Sequence, residues 1–212
     1  VKQKIAFGEG EGDAWFERNK SKLGVGSDEI EQAINALQIR PKRILEIGCS
    51  NGHRLEKLRV RYGAECMGID PSQQAIAKGK ASYPGLLLDI GTADRLNFDS
   101  AAFDLVIFGF CLYLCDPSDY FRIATEADRV LTDPGWLVVY DFLASSPRRR
   151  PYAHRPGLYS HKMEFSRLFT TNPAYRLLAR RYCEHGPELT YDPDEAVVVD
   201  VLRKDSARAF AG

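Results

Sequence analysis

Two kinds of hydrophobic pattern alternate along the chain. Short runs with almost no polar positions are followed by longer stretches in which apolar residues return every third or fourth position. The first pattern is that of a strand buried on both faces and the second that of an amphipathic helix. Residues 27–37 (SDEIEQAINAL) have a polar start, acids in the first turn and helical apolar spacing, and predict a helix. Residues 43–47 predict a buried strand, 52–62 a helix, and 65–70 (ECMGID) a second strand. The helix predicted over 71–82 has Pro71 at its first position, where a missing N–H does no harm. A short strand over 85–89, a strand over 103–110 (FDLVIFGF), a helix over 116–131 and a strand over 136–142 continue the series. Such alternation predicts a parallel sheet covered on both faces.

The last third departs from this pattern. Residues 145–167 are rich in arginine, proline, histidine and tyrosine. Two strand candidates follow, 174–184 and 196–203, joined by a loop that holds Gly186, Pro187, Asp192 and Pro193. No helix fits between them, so they are expected to pair as an antiparallel hairpin.

Composition narrows the function classes. The 212 residues carry 29 acidic and 29 basic side chains, so net charge does not draw the chain to nucleic acid or to an anionic membrane. No apolar run has the length of a membrane span, and no signal-peptide pattern opens the chain. Five cysteines in no framework spacing point to free thiols in a reducing compartment, and the expected location is cytoplasmic. Cys111 and Cys115 lie in an apolar run and read as small buried hydrophobes. No cysteine–histidine cluster has zinc spacing, so no metal is expected.

The candidate chemistry starts at ILEIGCSNGHRLEKL, residues 44–58. A strand runs into Gly48, and Gly52 leads into a helix whose free N–H groups favour anions. A dinucleotide fingerprint would place glycines at the positions held by Ser50 and His53. A phosphate loop would need a glycine, then lysine, then serine or threonine, where His53 and Arg54 stand. What remains is E-x-G-x-x-x-G over Glu46, Gly48 and Gly52, with Asp70 at the end of the second strand, about twenty residues on. An acid placed for ribose hydroxyls, without a pyrophosphate loop, suggests a nucleoside that carries no phosphate.

With these motifs the chain resembles a class I methyltransferase that uses S-adenosylmethionine. The resemblance rests on LEIGCSNG, GIDPS, GTADRLNF, and FDLVIFGFCLYL followed by RVLTDPGWLVV, and covers roughly residues 40–143. It implies an α/β fold: a Rossmann-like doubly wound sheet of seven mostly parallel strands with an antiparallel strand in the C-terminal hairpin. It implies one domain, with a lid and helix over 1–40, a cofactor-binding core over 41–143, an acceptor-binding insertion over 144–170 and a hairpin over 171–212. The cofactor implied is S-adenosyl-L-methionine, leaving as S-adenosyl-L-homocysteine. Gly48, Gly52 and the intervening Cys49 and Ser50 would hold its methionine part, with Glu46 near the amino group. Asp70 and Pro71 would hold the ribose side. Ala93 and Asp94 would edge the adenine, and Phe108 and Gly109 would face the sulfonium.

Methyl transfer asks for alignment and water exclusion, and for a base where the acceptor must lose a proton. The aromatic segment GDAWFERNK, residues 12–20, is the expected lid, with Trp15, Arg18 and Asn19 touching cofactor or acceptor. The basic segment RRRPYAHRPGLYSHKMEF is the expected acceptor site, suited to a small anionic molecule. His154, His161 and Tyr113 are the candidate bases. The favoured reading is O-methylation of a sugar or secondary metabolite, with no nucleic-acid partner. An RNA or protein methyltransferase and a non-catalytic domain of the same fold are the alternatives.

Overall fold

Alternate side chains on the central strands bury against opposite layers, which is why these strands lack polar alternation in the sequence. The structure, a computed structural model, describes residues 2–183 and 196–209. The N-terminal stretch is helical throughout: α1 (Gln3–Ala6), a π-helical turn over Phe7–Glu11, and α2 (Gly12–Asn19). Then come α3 (Glu29–Ala36), β1 (Arg43–Ile47), α4 (His53–Tyr62), β2 (Glu65–Asp70), α5 (Gln73–Ser82) and β3 (Leu87–Ile90). β4 (Phe103–Gly109) leads through two 3-10 turns, Leu112–Leu114 and Pro117–Asp119, into α6 (Tyr120–Val130) and β5 (Leu131–Phe142). β6 (Arg148–Pro151) and β7 (Tyr159–Lys162) form a separate antiparallel pair. α7 (Arg167–Thr170), β8 (Tyr175–Cys183), β9 (Val197–Lys204) and α8 (Ser206–Ala209) complete the chain.

Among the described residues the main sheet has seven strands, in the order β3-β2-β1-β4-β5-β9-β8. β1 to β5 are parallel, and β9 runs antiparallel to both its neighbours. Leu45, Ile47, Val106, Phe108, Leu137 and Val139 face one layer, where they meet Ile123 and Ala127 of α6 and Phe169 of α7. Ile44, Leu105, Ile107, Val138 and Val199 face the other, with Ile30 and Ile34 of α3, Leu55 and Leu58 of α4 and Ile76 of α5. Leu55 and Leu58 are fully buried, and each contributes roughly 1.5–3 kcal/mol to holding α4 on the sheet.

The predicted fold is present, with shifted boundaries. α5 starts after Ser72, whose hydroxyl accepts from the Ala75 N–H at 3.0 Å, so Pro71 lies outside the helix. α3 starts after Asp28, whose carboxylate accepts from the Glu31 N–H at 3.0 Å. Such caps contribute about 1 kcal/mol each. β5 starts earlier than its apolar run, because Leu131 already pairs with Phe103. The first residues predicted for α6 form the Pro117–Asp119 turn instead. The loop expected to join the last two strands, with Gly186, Pro187, Asp192 and Pro193, lies outside the described residues.

Candidate active site

The strand order reverses between β1 and β4, so their carboxyl ends diverge and open a crevice, the usual ligand position in a doubly wound sheet. Here the crevice is a cleft of about 850 Å³, counting its mouth. Gly48, Ser50, Asp70, Pro71, Ala93 and Asp94 lie on its walls, with Gly109, Phe110 and Cys111 at the end of β4. Gly48 has φ +76°, and a Cβ there would stand 2.6 Å from the Cys111 Cβ. The backbone can turn this close to β4 only with glycine.

Asp70 is the charged centre of the cleft. Its Oδ2 accepts from the Ser50 N–H and its Oδ1 from the Ser72 N–H, both at 2.9 Å. Burial pushes its carboxyl up to about 6, while those two N–H groups pull the other way. Each oxygen keeps a lone pair for a further donor.

Glu46 lies behind the loop, 1% exposed. It pairs with Arg54, whose Nε also meets Asp28 Oδ2 at 2.7 Å. Burial, with Asp28 sharing the same guanidinium, pushes the Glu46 carboxyl up to about 7. Its Oε2 and the Ser50 hydroxyl are buried without partners. Both residues border a second chamber that continues the cleft past Gly48, Gly109 and Phe110. Cys49, His53, Lys22, Lys57 and Tyr140 also line that chamber.

The N-terminal helices cover the cleft. Phe7, Gly12 and Trp15 line it from above, and Lys4 lines it while paired with Asp94 and with Asp119. Asp13 Oδ1 accepts from the Ser72 hydroxyl at 2.7 Å and the Gln74 N–H at 3.0 Å. A Cβ on Gly12 would stand 2.9 Å from Phe7 O and 3.2 Å from Ser72 N, so the helix packs backbone to backbone on the start of α5.

Residues 45–139 match the methyltransferase-domain family. An uncharacterized methyltransferase of Synechocystis is 27% identical over 162 residues, 74% of this chain and 71% of that protein. The indolepyruvate C-methyltransferase of Streptomyces griseus is 27% identical over 200 residues, 88% of this chain and 61% of that protein. The 1,6-didemethyltoxoflavin-N1-methyltransferase of Burkholderia thailandensis, solved with S-adenosylhomocysteine, superposes with a TM-score of 0.73 at 15% identity. That superposition spans 96% of this chain and 87% of the other. Residues 45–139 thus carry a methyltransferase domain, and the fold is the one that S-adenosylmethionine-dependent methyltransferases share.

Several expected positions in this methyltransferase need correction. Phe108 is fully buried among core side chains against Phe169, and it is Phe110 that lines the cleft. Phe110 has φ +63°, and this turn brings its ring to within 4.9–5.1 Å of Tyr113, Tyr140 and Phe142. Tyr113 is buried, with its ring against Phe110 and Phe142. Burial pushes that phenol up, away from use as a base near neutrality. His154 is exposed beside Tyr152, and His161 lies in a different recess under β6 and β7. Among the described residues, none from 144–170 lines the cleft or the chamber. That segment packs on the back of the lid instead: Tyr152 accepts from Arg18 at 3.0 Å, and Arg155 donates to Ala6 O at 2.8 Å. Asn19 caps its helix through the Trp15 carbonyl at 2.8 Å and borders the chamber.

Lys4, Phe7, Phe110, Asp116 and Asp119 were not singled out in the sequence, and all line the cleft. Gly8 and Gly10 interrupt the helical pattern there, which hid the first part of the lid. Cys111 and Cys115 also face the cleft and are half-buried, with all five cysteines free. Burial pushes the Cys111 and Cys115 thiols up, so neither is a ready nucleophile. Among the described residues, no group of acidic, histidine and cysteine side chains would hold a metal ion, and no helix is long and apolar enough to cross a membrane.

Proposed function

We propose that this methyltransferase acts on a small molecule, which it receives in the chamber that continues the cofactor cleft. The observation that carries this reading is the lid. It is tied down at Gln3, Lys4 and Asp13, and Lys4, Phe7, Gly12 and Trp15 wall one side of the cleft, which narrows it toward the size of a small molecule.

The cleft fits S-adenosylmethionine by its own chemistry. Asp70 offers two oxygens for ribose hydroxyls. The part of the cleft lined by Pro71, Ala93 and Asp94 would take the adenine ring, with the Asp94 carboxylate at its edge beside Lys4. Gly48, Cys49, the unpartnered Ser50 hydroxyl and Glu46 Oε2 supply backbone room and polar partners for the amino acid portion, while Gly52, expected there too, faces Leu86 and Leu88 of the core instead. Gly109 and Phe110 would border the sulfonium, and Trp15 would exclude water from above. When bound, the group supplies a methyl already activated for displacement; the chain contributes orientation and a dry wall.

The chamber carries both signs, with Lys22, Arg54 and Lys57 against Asp28, Glu29 and Glu46, so an anionic acceptor is not singled out. His53 is the imidazole on its wall among the described residues. Burial and the nearby Arg54 hold it down to about 4, so it is neutral at physiological pH. With Nδ1 against Asn51 Oδ1 at 3.1 Å, Nε2 is left to accept a hydrogen bond, a positioning role for an acceptor hydroxyl or amine. Two of the proteins named above are a C-methyltransferase and an N-methyltransferase. We therefore widen the expectation of oxygen to any of the three nucleophile types.

The chain acts as one domain in this reading. Residues 1–40 are the lid and first helix, 41–143 the cofactor core, 144–170 a clamp on the lid in place of an acceptor site, and 171–212 the sheet-completing hairpin. The test is methyl transfer from labelled S-adenosylmethionine to a panel of small phenols, amines and 2-oxo acids, with RNA and protein alongside. Turnover of a small acceptor is expected. Label entering only RNA or protein would overturn the reading.

A further inference from the structure

The first turn of the lid delivers a cation into the cleft. Gln3 is buried and pins α1 in place: its N–H donates to Asp116 Oδ2 at 2.8 Å, its Nε2 donates to Leu114 O at 2.6 Å, and its Oε1 accepts the Tyr159 N–H at 2.5 Å. The next residue, Lys4, is the cation on the cleft wall among the described residues, against Asp70, Asp94, Asp116 and Asp119. Its ammonium meets Asp119 Oδ2 at 3.0 Å and Asp94 Oδ2 as well, and both acids have side chains only 9% exposed. Two carboxylates on one ammonium stand within about 6 Å of each other, where like charges oppose the ionisation of both. Burial pushes the Asp94 carboxyl up, yet hydrogen bonds, that from Lys4 foremost, hold it below its ordinary value. The other charges nearby do not replace Lys4. Lys2 reaches Asp119, at 3.2 Å, and Glu126 on α6 is already paired with Arg129 at 2.8 Å.

We propose, resting on the adenine placement above, that Lys4 is a positioning residue for the nucleoside: it keeps Asp94 ionised and held at the adenine edge, and so makes the site choose an aminopurine over an oxopurine. An ionised carboxylate only accepts, which suits the exocyclic amine of adenine and opposes the carbonyl oxygen of hypoxanthine. Without Lys4, Asp94 and Asp119 would share a proton, and a protonated Asp94 would donate to that carbonyl. Lys4 acts through Asp94 and not on the reacting atoms. Because the cation comes from the lid, the base is read when α1 is seated on the cleft.

The test is calorimetric titration of the full chain with S-adenosylhomocysteine and with S-inosylhomocysteine, which carries the oxopurine. The wild type is expected to prefer the adenosyl compound by about tenfold or more. Lys4→Met is expected to bring the two within about threefold, by weakening the adenosyl compound and not the inosyl one. Lys4→Arg restores the cation and should keep the wild-type preference. Lys2→Met, the control for charge beside Asp119, should keep it too. A loss of packing alone would weaken both compounds together. Equal weakening of both in Lys4→Met, or a preference left at the wild-type ratio, would therefore overturn the role of Lys4 while leaving the cofactor in the cleft. A wild type that binds neither compound, or binding that survives Asp70→Asn, would overturn the cofactor placement and the role of Lys4 with it.

Discussion

Asp13 on α2 accepts a hydrogen bond from the hydroxyl of Ser72, the residue that caps α5, at 2.7 Å. One carboxylate thereby joins the lid to the floor beside Asp70, the proposed ribose ligand. Its second bond, from the Gln74 N–H at 3.0 Å, places the negative charge at a helix N-terminus, where it is favourable. Asp13→Ala should loosen the lid and leave the core intact. Two charge-assisted bonds on a half-buried residue suggest a loss of about 1–2 kcal/mol in cofactor binding, roughly tenfold in Kd, with little change in Tm. Calorimetry with S-adenosylhomocysteine checks the first, and a thermal melt the second.

The Asp70 carboxyl gives a pH dependence with a definite sign. Its folded value, raised to about 6 from an ordinary 3.8, means that the ligand-free protein holds an extra proton between those values. This group therefore makes the ligand-free fold less stable as pH rises through that window. Ribose hydroxyls donate to the ionised form, so cofactor binding should expel the proton near pH 6. Affinity should be level above about pH 7 and weaken as pH falls below 6, by up to about tenfold per unit. Titrations at pH 6 in buffers of different ionisation enthalpy should show proton release. Uptake, or no transfer, would contradict the assignment.

Gly48 faces two demands at once, a left-handed φ and a wall 2.6 Å from where a Cβ would lie. Gly48→Ala should destabilise by about 2–4 kcal/mol, adding the left-handed penalty to overpacking against Cys111. It should also weaken cofactor binding beyond what the melt explains. Urea denaturation and calorimetry measure the two effects separately.

Arg54 neutralises two acids, Glu46 and Asp28, with its side chain 12% exposed. Arg54→Met leaves both without their cation and should cost about 3–5 kcal/mol. Glu46→Gln keeps the Arg54–Asp28 pair and should cost less. Combining the two should recover part of the Arg54→Met loss, a coupling that a double-mutant cycle in urea would expose.

The sheet was legible because its strands are buried on both faces, and such runs have few other homes in a chain of this kind. Glu46, Gly48 and Asp70 could be picked out as neighbours of one crevice because the glycine loop follows β1 directly and Asp70 ends β2. Phe110 was not, since a non-glycine residue at φ +63° leaves no mark in a run of apolar letters. The histidines misled for a related reason. Sequence showed a basic, aromatic segment after β5, but β6 and β7 fold back as a clamp on the lid and carry His161 into a recess of their own. Charge density along a segment does not show which cavity that segment lines. The N-terminal lid was read from its aromatics alone, while the contacts that fasten it, from Gln3 and Lys4, reach residues ninety or more positions away and have no local signature.

The most direct measurement is titration of S-adenosylhomocysteine into the wild-type chain and into Asp70→Asn at pH 7.5. The wild type is expected to bind with a micromolar Kd. Asparagine cannot accept from both the Ser50 and Ser72 N–H groups and the ribose, so the variant should bind at least about a hundredfold more weakly. Equal binding by the two proteins, or none by the wild type, would contradict the placement of the cofactor in this cleft.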